Sequence, residues 1–362
     1  MKAVSPTVQR RDVPLDAEAF HHLAEIHRPA VQAHCYRMLG SLHDAEDAVQ
    51  ETLLRAWRGR RTFGGRASLR TWLYRVATNV CLDALRQRSR RILPLAFTGP
   101  ADPGDDVLAD VREPIWLEPC PTAGLHDFSS DPAARYELRE SLSLAFAAAL
   151  QDLAPRQRAA LLLRDVLGWS TAETAKALRT TVQAVNSALQ RARQAVKTRR
   201  LDGGRVLREL PRTHHELIDR FLQAWEAGDA GALARLLTED ATMTMPPSPS
   251  WYAGRQAVAG FFAQRVFQGP LAGRLYPVPA EANFLPALAI YRDDETAGRR
   301  EAFAIIVLVL RGEQVAWMAG FADASLFCPF GLPLVMPRTG GPPGRAQASA
   351  PTPQDSPPPT RG

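Results

Sequence analysis

Residues 165–193, DVLGWSTAETAKALRTTVQAVNSALQRAR, leave little choice of local fold. Ser170 followed three residues later by Glu173 writes a capping box at the start of one short helix. Val182, Val185, Leu189 and Ala192 recur at steps of three and four, the buried stripe of a second helix, with Thr181 as its cap. Only Arg179–Thr181 lies between the two. Two short helices on so tight a turn form a helix-turn-helix. The opposite face of the second helix carries Gln183, Asn186, Ser187, Gln190, Arg191 and Arg193, with Ala184 among them, and no acid. Amides and guanidinium groups pair with base edges, whereas an exposed carboxylate is repelled by phosphate. The segment reads as a DNA-reading helix. Taken alone, it leaves open the solvated face of an ordinary helical hairpin.

A second helical block strengthens the nucleic-acid reading. Between Arg58 and Arg91 there are ten arginines and one acid, Asp83. Phe63, Trp72 and Tyr74 lie in the same stretch. Arginines hold phosphates and aromatic rings stack on unpaired bases, although Trp72 and Tyr74 also fit a core. Residues 71–91 read as one helix, with Trp72, Val76, Val80 and Asp83 on one side and Arg75, Asn79 and Arg86 on another. Ahead of it, residues 44–57 form an acidic helix. Ala45, Val49 and Ala56 turn inward; Asp44, Asp47, Gln50, Glu51 and Leu54 turn outward. Such a face suits a protein partner better than DNA, with a merely solvated face as the alternative.

The 362 residues fit two to three domains. A net charge of +6 favours a polyanionic partner only weakly until its distribution is known. Cys35, Cys81, Cys120 and Cys328 are far apart and lack metal-ligand spacing, so they read as thiols in a reducing cytosol rather than a disulfide framework. No stretch is long enough to cross a membrane. Residues 1–16 read as a loose leader, 17–92 as a helical domain, 93–131 as an acidic linker and 132–200 as the helix-turn-helix domain. A connector spans 201–212, an α+β domain 213–336, and a disordered Pro-rich tail 337–362.

These motifs together resemble the extracytoplasmic-function sigma factors of bacterial RNA polymerase. DAEDAVQETLLRAW, SLRTWLYRVATNVCLDALR and the helix-turn-helix segment are similar to that group's regions two and four, in the same order. The resemblance implies two all-α sigma domains, a helical bundle and a helix-turn-helix, and no catalytic residue, cofactor or metal. It implies that Asp47, Gln50, Glu51 and Leu54 dock on the clamp helices of core RNA polymerase. Phe63, Arg66 and Ser68, with Asn79 behind them, then capture a flipped base of the minus-ten element, while Trp72, Arg75 and Arg86 hold the unwound strand. Thr181, Gln183, Asn186, Ser187, Gln190, Arg191 and Arg193 face the minus-thirty-five element, and Arg193 or Lys197 mostly holds phosphate. One departure is Arg179, where the group usually has Gly in the turn.

Residues 102–131 hold eight acids and one arginine, a charge pattern that suits cationic polymerase channels; a plain acidic spacer is the alternative. WLEPCP, residues 116–121, and FGLP, residues 330–333, resemble motifs of the subgroup with an extra C-terminal domain. That domain resembles the SnoaL-like cone fold: a helix, a short helix and a strand within 216–247, a helix within 251–267, then strands ANFLPALAIYR, EAFAIIVLVLRG and EQVAWMAGFAD. Trp251, Tyr252, Trp317 and Asp323 are candidates to line a pocket for an unknown small molecule. Asp240, His214 and His215 are further candidates for the carboxylate or His–Asp pairs of related enzymes. The expected function is promoter recognition and transcription initiation in the cytoplasm with core RNA polymerase and promoter DNA, regulated in cis by the fused domain. The basic connector, with Arg205, Arg208 and Arg212, is expected to reach the acidic linker. The alternative is a small-molecule isomerase or hydrolase tethered to a DNA-binding module.

Overall fold

In a computed structural model the described residues are 17–63, 68–87, 91–96, 98–111, 116–124, 142–203, 211–294 and 296–338. The leader, Arg66, Arg205, Arg208 and the tail beyond residue 338 lie outside them, as do the side chains of Arg212 and His214. The first helical unit contains α1 (Ala17–Leu39), α2 (Leu42–Gly59) and α3 (Leu69–Gln87). The second contains α4 (Leu144–Gln151), α5 (Pro155–Leu161, extended by one wider turn to Val166), α6 (Thr171–Ala177) and α7 (Val182–Gly203).

α2 buries Ala45, Val49 and Ala56 as its spacing demands. α3 buries Leu73, Ala77, Val80 and Cys81, leaving Trp72 and Val76 only half covered, so its inner face is turned slightly from the expected Trp72–Val76–Val80 side. Asp44 does not face solvent either. It is drawn in to the largely buried Arg91, which also donates to the carbonyl of Trp116 at 2.6 Å.

The two helical units share one apolar core. α4 and α5 pack against α1, and α5 against α3. Arg158 of α5 is buried in this seam, donating to the carbonyl of Met38, to Gln151 Oε1 at 2.6 Å and to the carbonyl of Leu153 at 3.3 Å. A buried cation without such acceptors would cost several kcal/mol, on the order of its desolvation.

The C-terminal unit begins with α8 (Pro211–Glu226) and α9 (Ala230–Arg235). β1 (Leu237–Thr244), β2 (Trp251–Ala253) and α10 (Arg255–Phe261, continuing as a wider turn to Phe267) follow. β3 (Leu275–Ala282), β4 (Leu285–Asp294), β5 (Arg299–Arg311), β6 (Gln314–Phe321) and β7 (Val335–Pro337) complete it. The sheet order is β2-β1-β6-β5-β4-β3, with β7 on β5; only β1 and β6 run parallel.

Two expectations change here. WYA is a strand, not the start of the helix. ANFLPALAIYR is split by a turn at Asn283–Phe284, and β3 precedes it. β3 carries Pro277 and Pro279, which a strand tolerates at a sheet edge.

The sheet is covered on both faces. Inward, Met243, Tyr252, Leu288, Ile290, Leu308 and Met318 meet Phe221 and Trp225 of α8 and Phe261 and Phe262 of α10. Outward, Ala287, Ala289, Tyr291, Ile305, Val307 and Phe321 belong to the same buried cluster as the two helical units. Each fully buried side chain of this size contributes about 1.5–3 kcal/mol.

Candidate functional site

Four surfaces carry the residues singled out by the sequence. The first is the outer side of α2. Asp47 and Gln50 are exposed and Leu54 is half exposed. Glu51 accepts from Arg55 Nε at 2.6 Å, and Arg55 reaches Asp83 of α3 at 3.1 Å. Gln50 and Leu54 lie on the wall of a groove of about 410 Å³ between α1 and α2. Its other wall brings in Phe20, Ala24 and Arg28 of α1, which local pattern could not connect to α2. Trp57 lines it as well, with Phe20 edge-on at 5.6 Å and the Arg60 guanidinium 3.6 Å above its ring.

The second surface surrounds the start of α3. Ser68 caps the helix, its Oγ accepting from the Thr71 N–H at 3.1 Å. Phe63 stacks on Trp72 with ring centroids 5.1 Å apart, and both rings are half-buried at the rim. Tyr74 is a core residue, edge-on to His34 at 5.3 Å. Arg75 is exposed, and Asn79 Nδ2 donates to the Arg75 carbonyl at 2.9 Å. Arg86 leans on Asp83 at 3.0 Å. Phe63, through its contact with Trp72, thus lies with Ser68, Arg75 and Asn79 at the first turns of one helix.

The third surface is the outer face of α7. The capping box at α6 is formed: Ser170 N–H donates to Glu173 Oε2 at 2.8 Å and Glu173 N–H to Ser170 Oγ at 3.2 Å. The Ser170 side chain and backbone hold the Glu173 carboxyl below its usual range. Thr181 Oγ1 accepts from the Ala184 N–H at 3.1 Å. Arg179 takes φ 51°, so the left-handed turn is kept without glycine, at a cost of about 1–2 kcal/mol. Gln183, Asn186, Ser187, Gln190 and Arg191 are exposed over a stripe of Val185, Leu189 and Ala192.

Two members of the expected set differ. Val182 is 47% exposed rather than buried, because the stripe closes only one turn later. Arg193 is exposed but forked onto Asp165 at 2.9 and 2.6 Å, so its guanidinium braces α7 against the end of α5.

The fourth set, in the C-terminal unit, does not assemble into a pocket. Register places Tyr252 opposite Met243, but Trp251 opposite Thr244 and Trp317 opposite Thr242. Successive strand residues face opposite sides, so the two tryptophans lie on the other face of the sheet from Tyr252. Trp251 Nε1 donates to the Thr98 carbonyl at 2.8 Å and Trp317 Nε1 to Thr244 Oγ1 at 3.0 Å. Tyr252 is buried against Phe261, and its hydroxyl is pushed up by that burial. Asp323 is an exposed cap that accepts from the Ser325 N–H at 2.8 Å. Asp240 is paired with Arg311 at 2.8 Å, and His215 is exposed. Among the described residues no cluster of His, Cys, Asp and Glu is placed to hold a metal.

The linker is the element that sequence pattern most underrated. Residues 98–111 lie along the C-terminal unit. Ala101 N–H donates to the Trp251 carbonyl at 2.8 Å, Leu108 N–H to Ser250 Oγ at 2.9 Å and Val111 N–H to the Pro247 carbonyl at 3.0 Å. Arg265 donates to the Asp105 carbonyl and to Asp106 at 3.3 Å, so it is an arginine of α10 that holds the acidic strip. Glu118 of WLEPCP then caps α2, accepting from the Leu42 N–H at 2.9 Å and Ser41 Oγ at 2.8 Å, where a carboxylate also meets the favourable end of the helix dipole.

Comparison with known proteins identifies three segments. Residues 23–91 match Sigma-70 region 2, residues 143–196 match Sigma-70 region 4, and residues 218–273 match the SnoaL-like domain. The ECF RNA polymerase sigma factor SigG of Mycobacterium tuberculosis is 45% identical over 312 residues, 85% of this chain and 82% of the relative. SigJ of the same organism, another ECF RNA polymerase sigma factor, is 32% identical over 209 residues, 58% of this chain and 59% of the relative. The crystal structure of the extracytoplasmic-function sigma factor SigJ of Mycobacterium tuberculosis superposes with a TM-score of 0.56 at 25% identity, covering 87% of this chain and 99% of that one.

Proposed function

The chain belongs to the ECF RNA polymerase sigma factors, and on that premise we propose how its surfaces divide the work. Its role is to bind core RNA polymerase and direct it to promoter DNA, not to catalyse a reaction. Asp47, Gln50, Glu51 and Leu54, with the α1 wall of the groove, take the core polymerase. Phe63, Ser68, Trp72, Arg75 and Asn79, joined by Arg66 and Arg86, take the unwound minus-ten strand, the aromatic pair offering stacking surface. Gln183, Asn186, Ser187, Gln190 and Arg191, on the helix capped by Thr181, read the minus-thirty-five element in the major groove, where Gln or Asn suits adenine and Arg suits guanine. Arg193 serves this face by bracing the helix. The observation that carries the reading is the acid-free, exposed outer face of α7 over residues 183–193, above a closed apolar stripe. Among the described residues no helix is long and apolar enough to cross a membrane, which suits work in the cytoplasm.

The fused SnoaL-like domain regulates these surfaces in cis. Minus-ten and minus-thirty-five elements are about 25 base pairs apart, on the order of 85 Å at about 3.4 Å per step. In the arrangement described, the two DNA-reading units share one buried core with each other and with the outer face of the sheet. That closed form has to open before both elements are engaged. A covalently fused domain acts at high effective concentration, so weak contacts suffice to bias the equilibrium. The domain's inner face is filled by its own aromatic side chains, which supports a packing role for it over a tethered isomerase or hydrolase. In vitro transcription with core polymerase and a genomic promoter pool tests the assignment. Initiation should be promoter-selective and should change preference when Gln183, Asn186 or Gln190 is replaced. Initiation that stays indifferent to those changes contradicts the reading helix.

A further inference from the structure

We propose that Asn283 is the latch through which the SnoaL-like domain holds the two sigma units closed, an inference that rests on the in-cis restraint just proposed. Asn283 opens the β3–β4 turn. It and Phe284 both take positive φ, 54° and 59°, a region where side-chain-bearing residues are uncommon. Neither position is glycine. Asparagine is among the residues that enter this region most readily, but here it has no exposed surface. Its amide is bonded to three other parts of the chain. Oδ1 accepts from the Cys120 N–H at 2.9 Å. Nδ2 donates to the Leu142 carbonyl at 2.8 Å and to the Tyr36 hydroxyl at 3.1 Å. Its backbone N–H donates to the Cys120 carbonyl at 2.8 Å.

These partners sort by unit. Tyr36 lies on α1 of the first sigma unit, Leu142 directly precedes the helices of the second, and Cys120 belongs to the linker between them. Tyr36 also donates to the Glu118 carbonyl at 2.8 Å, and the Phe284 N–H donates to Thr122 Oγ1 at 3.0 Å. One side chain of the fused domain therefore bonds both units that have to separate, together with the segment that connects them. The two bonds to Cys120 are able to survive opening, because linker and sheet can move together. The two Nδ2 bonds are not, because their acceptors leave in different directions. Opening breaks both at once and exposes the amide and its acceptors to water, so the closed form is held by a paired polar contact as well as by apolar area.

The test uses the full-length chain carrying Cys328→Ser and a spin-label pair at the exposed positions 58 and 176, one in each sigma unit. In the unsubstituted protein the interspin distance should be single and short. Asn283→Gly keeps the left-handed turn accessible and removes the amide. It should lengthen and broaden that distance in the free protein and tighten binding to core polymerase about tenfold. Asn283→Asp keeps an acceptor for Cys120 but sets a carboxylate oxygen against the Leu142 carbonyl, and should act in the same direction. A residue that merely supports the fold would lower the melting temperature while leaving the distance unchanged and core affinity unchanged or weaker; that result overturns the latch. If Asn283→Gly does not fold, Tyr36→Phe removes one Nδ2 partner and should show a smaller shift of the same sign, its absence counting equally against the proposal. Arg265→Ala, which frees the linker elsewhere, separates the two levels of inference. A longer distance in Arg265→Ala but not in Asn283→Gly keeps the restraint and discards the latch. No change in either discards both.

Discussion

The outer face of α7 and the junction at Asn283 are built in opposite ways. The α7 face is exposed, comes from a single run of residues 181–193, and owes its order to a local cap and a local stripe. The junction is buried and gathers residues as far as 247 positions apart. The difference teaches where each kind of function is stored. Recognition of an external partner requires side chains that stay available, so local pattern suffices to present them. Restraint of one unit by another requires contacts that exist only when the chain is folded. Changes at the seam should therefore move stability and spacing, and changes on the exposed faces should move affinity alone.

The largest expected effect lies in the seam. Arg158→Met leaves the carbonyls of Met38 and Leu153 and the Gln151 amide without their donor, and should destabilise the protein by about 3 kcal/mol in urea unfolding. A loss no larger than that of an exposed arginine would break the contrast.

Next comes acid. His34 is fully buried beside Arg37, and burial first, then that guanidinium, pushes its pKa down to about 3. The unfolded chain binds the proton near pH 6.5 and the folded chain does not, so stability is complete above about pH 6.5 and is lost as the pH falls toward 3. Between pH 6.5 and 4.5 the loss should reach about 2–3 kcal/mol, and His34→Gln should flatten that limb of the stability curve.

On the exposed side, the double variant Gln50→Ala, Glu51→Arg should weaken core polymerase binding by about 2 kcal/mol with an unchanged melting temperature. Co-purification equal to that of the unsubstituted protein removes the α2 assignment. The smallest effect belongs to a single base reader. Gln190→Ala should cost about 1–2 kcal/mol at one promoter position and little elsewhere, as read by saturation mutagenesis of the promoter. An equal loss from every sequence would make Gln190 a backbone contact.

The same contrast explains what was legible in the sequence. The caps at Ser170 and Thr181 and the buried set Val185, Leu189 and Ala192 follow from spacing, and they form. Val182 failed because spacing does not say at which turn a stripe begins to be covered. The Arg193–Asp165 pair could not be read locally because Asp165 is 28 residues back, on another helix, and Asp44 failed because Arg91 is 47 residues away. The pocket residues Trp251, Tyr252 and Trp317 were grouped by type, but a strand's two faces are told apart only by register. β3 was invisible because its two prolines hide an edge strand from propensity. The linker's acids suggested a charged spacer, while its hydrogen bonds to Ser250, Pro247 and Arg265 depend on the folded C-terminal unit.

The central claim, that the chain is held closed when free and opens to act, is tested most directly by one distance. The full-length protein with Cys328→Ser and spin labels at positions 58 and 176 is measured alone and again bound to core polymerase. The account predicts a short, narrow distribution in the free protein, replaced in the complex by one on the order of the roughly 85 Å between promoter elements. The same short distance in both states would contradict it.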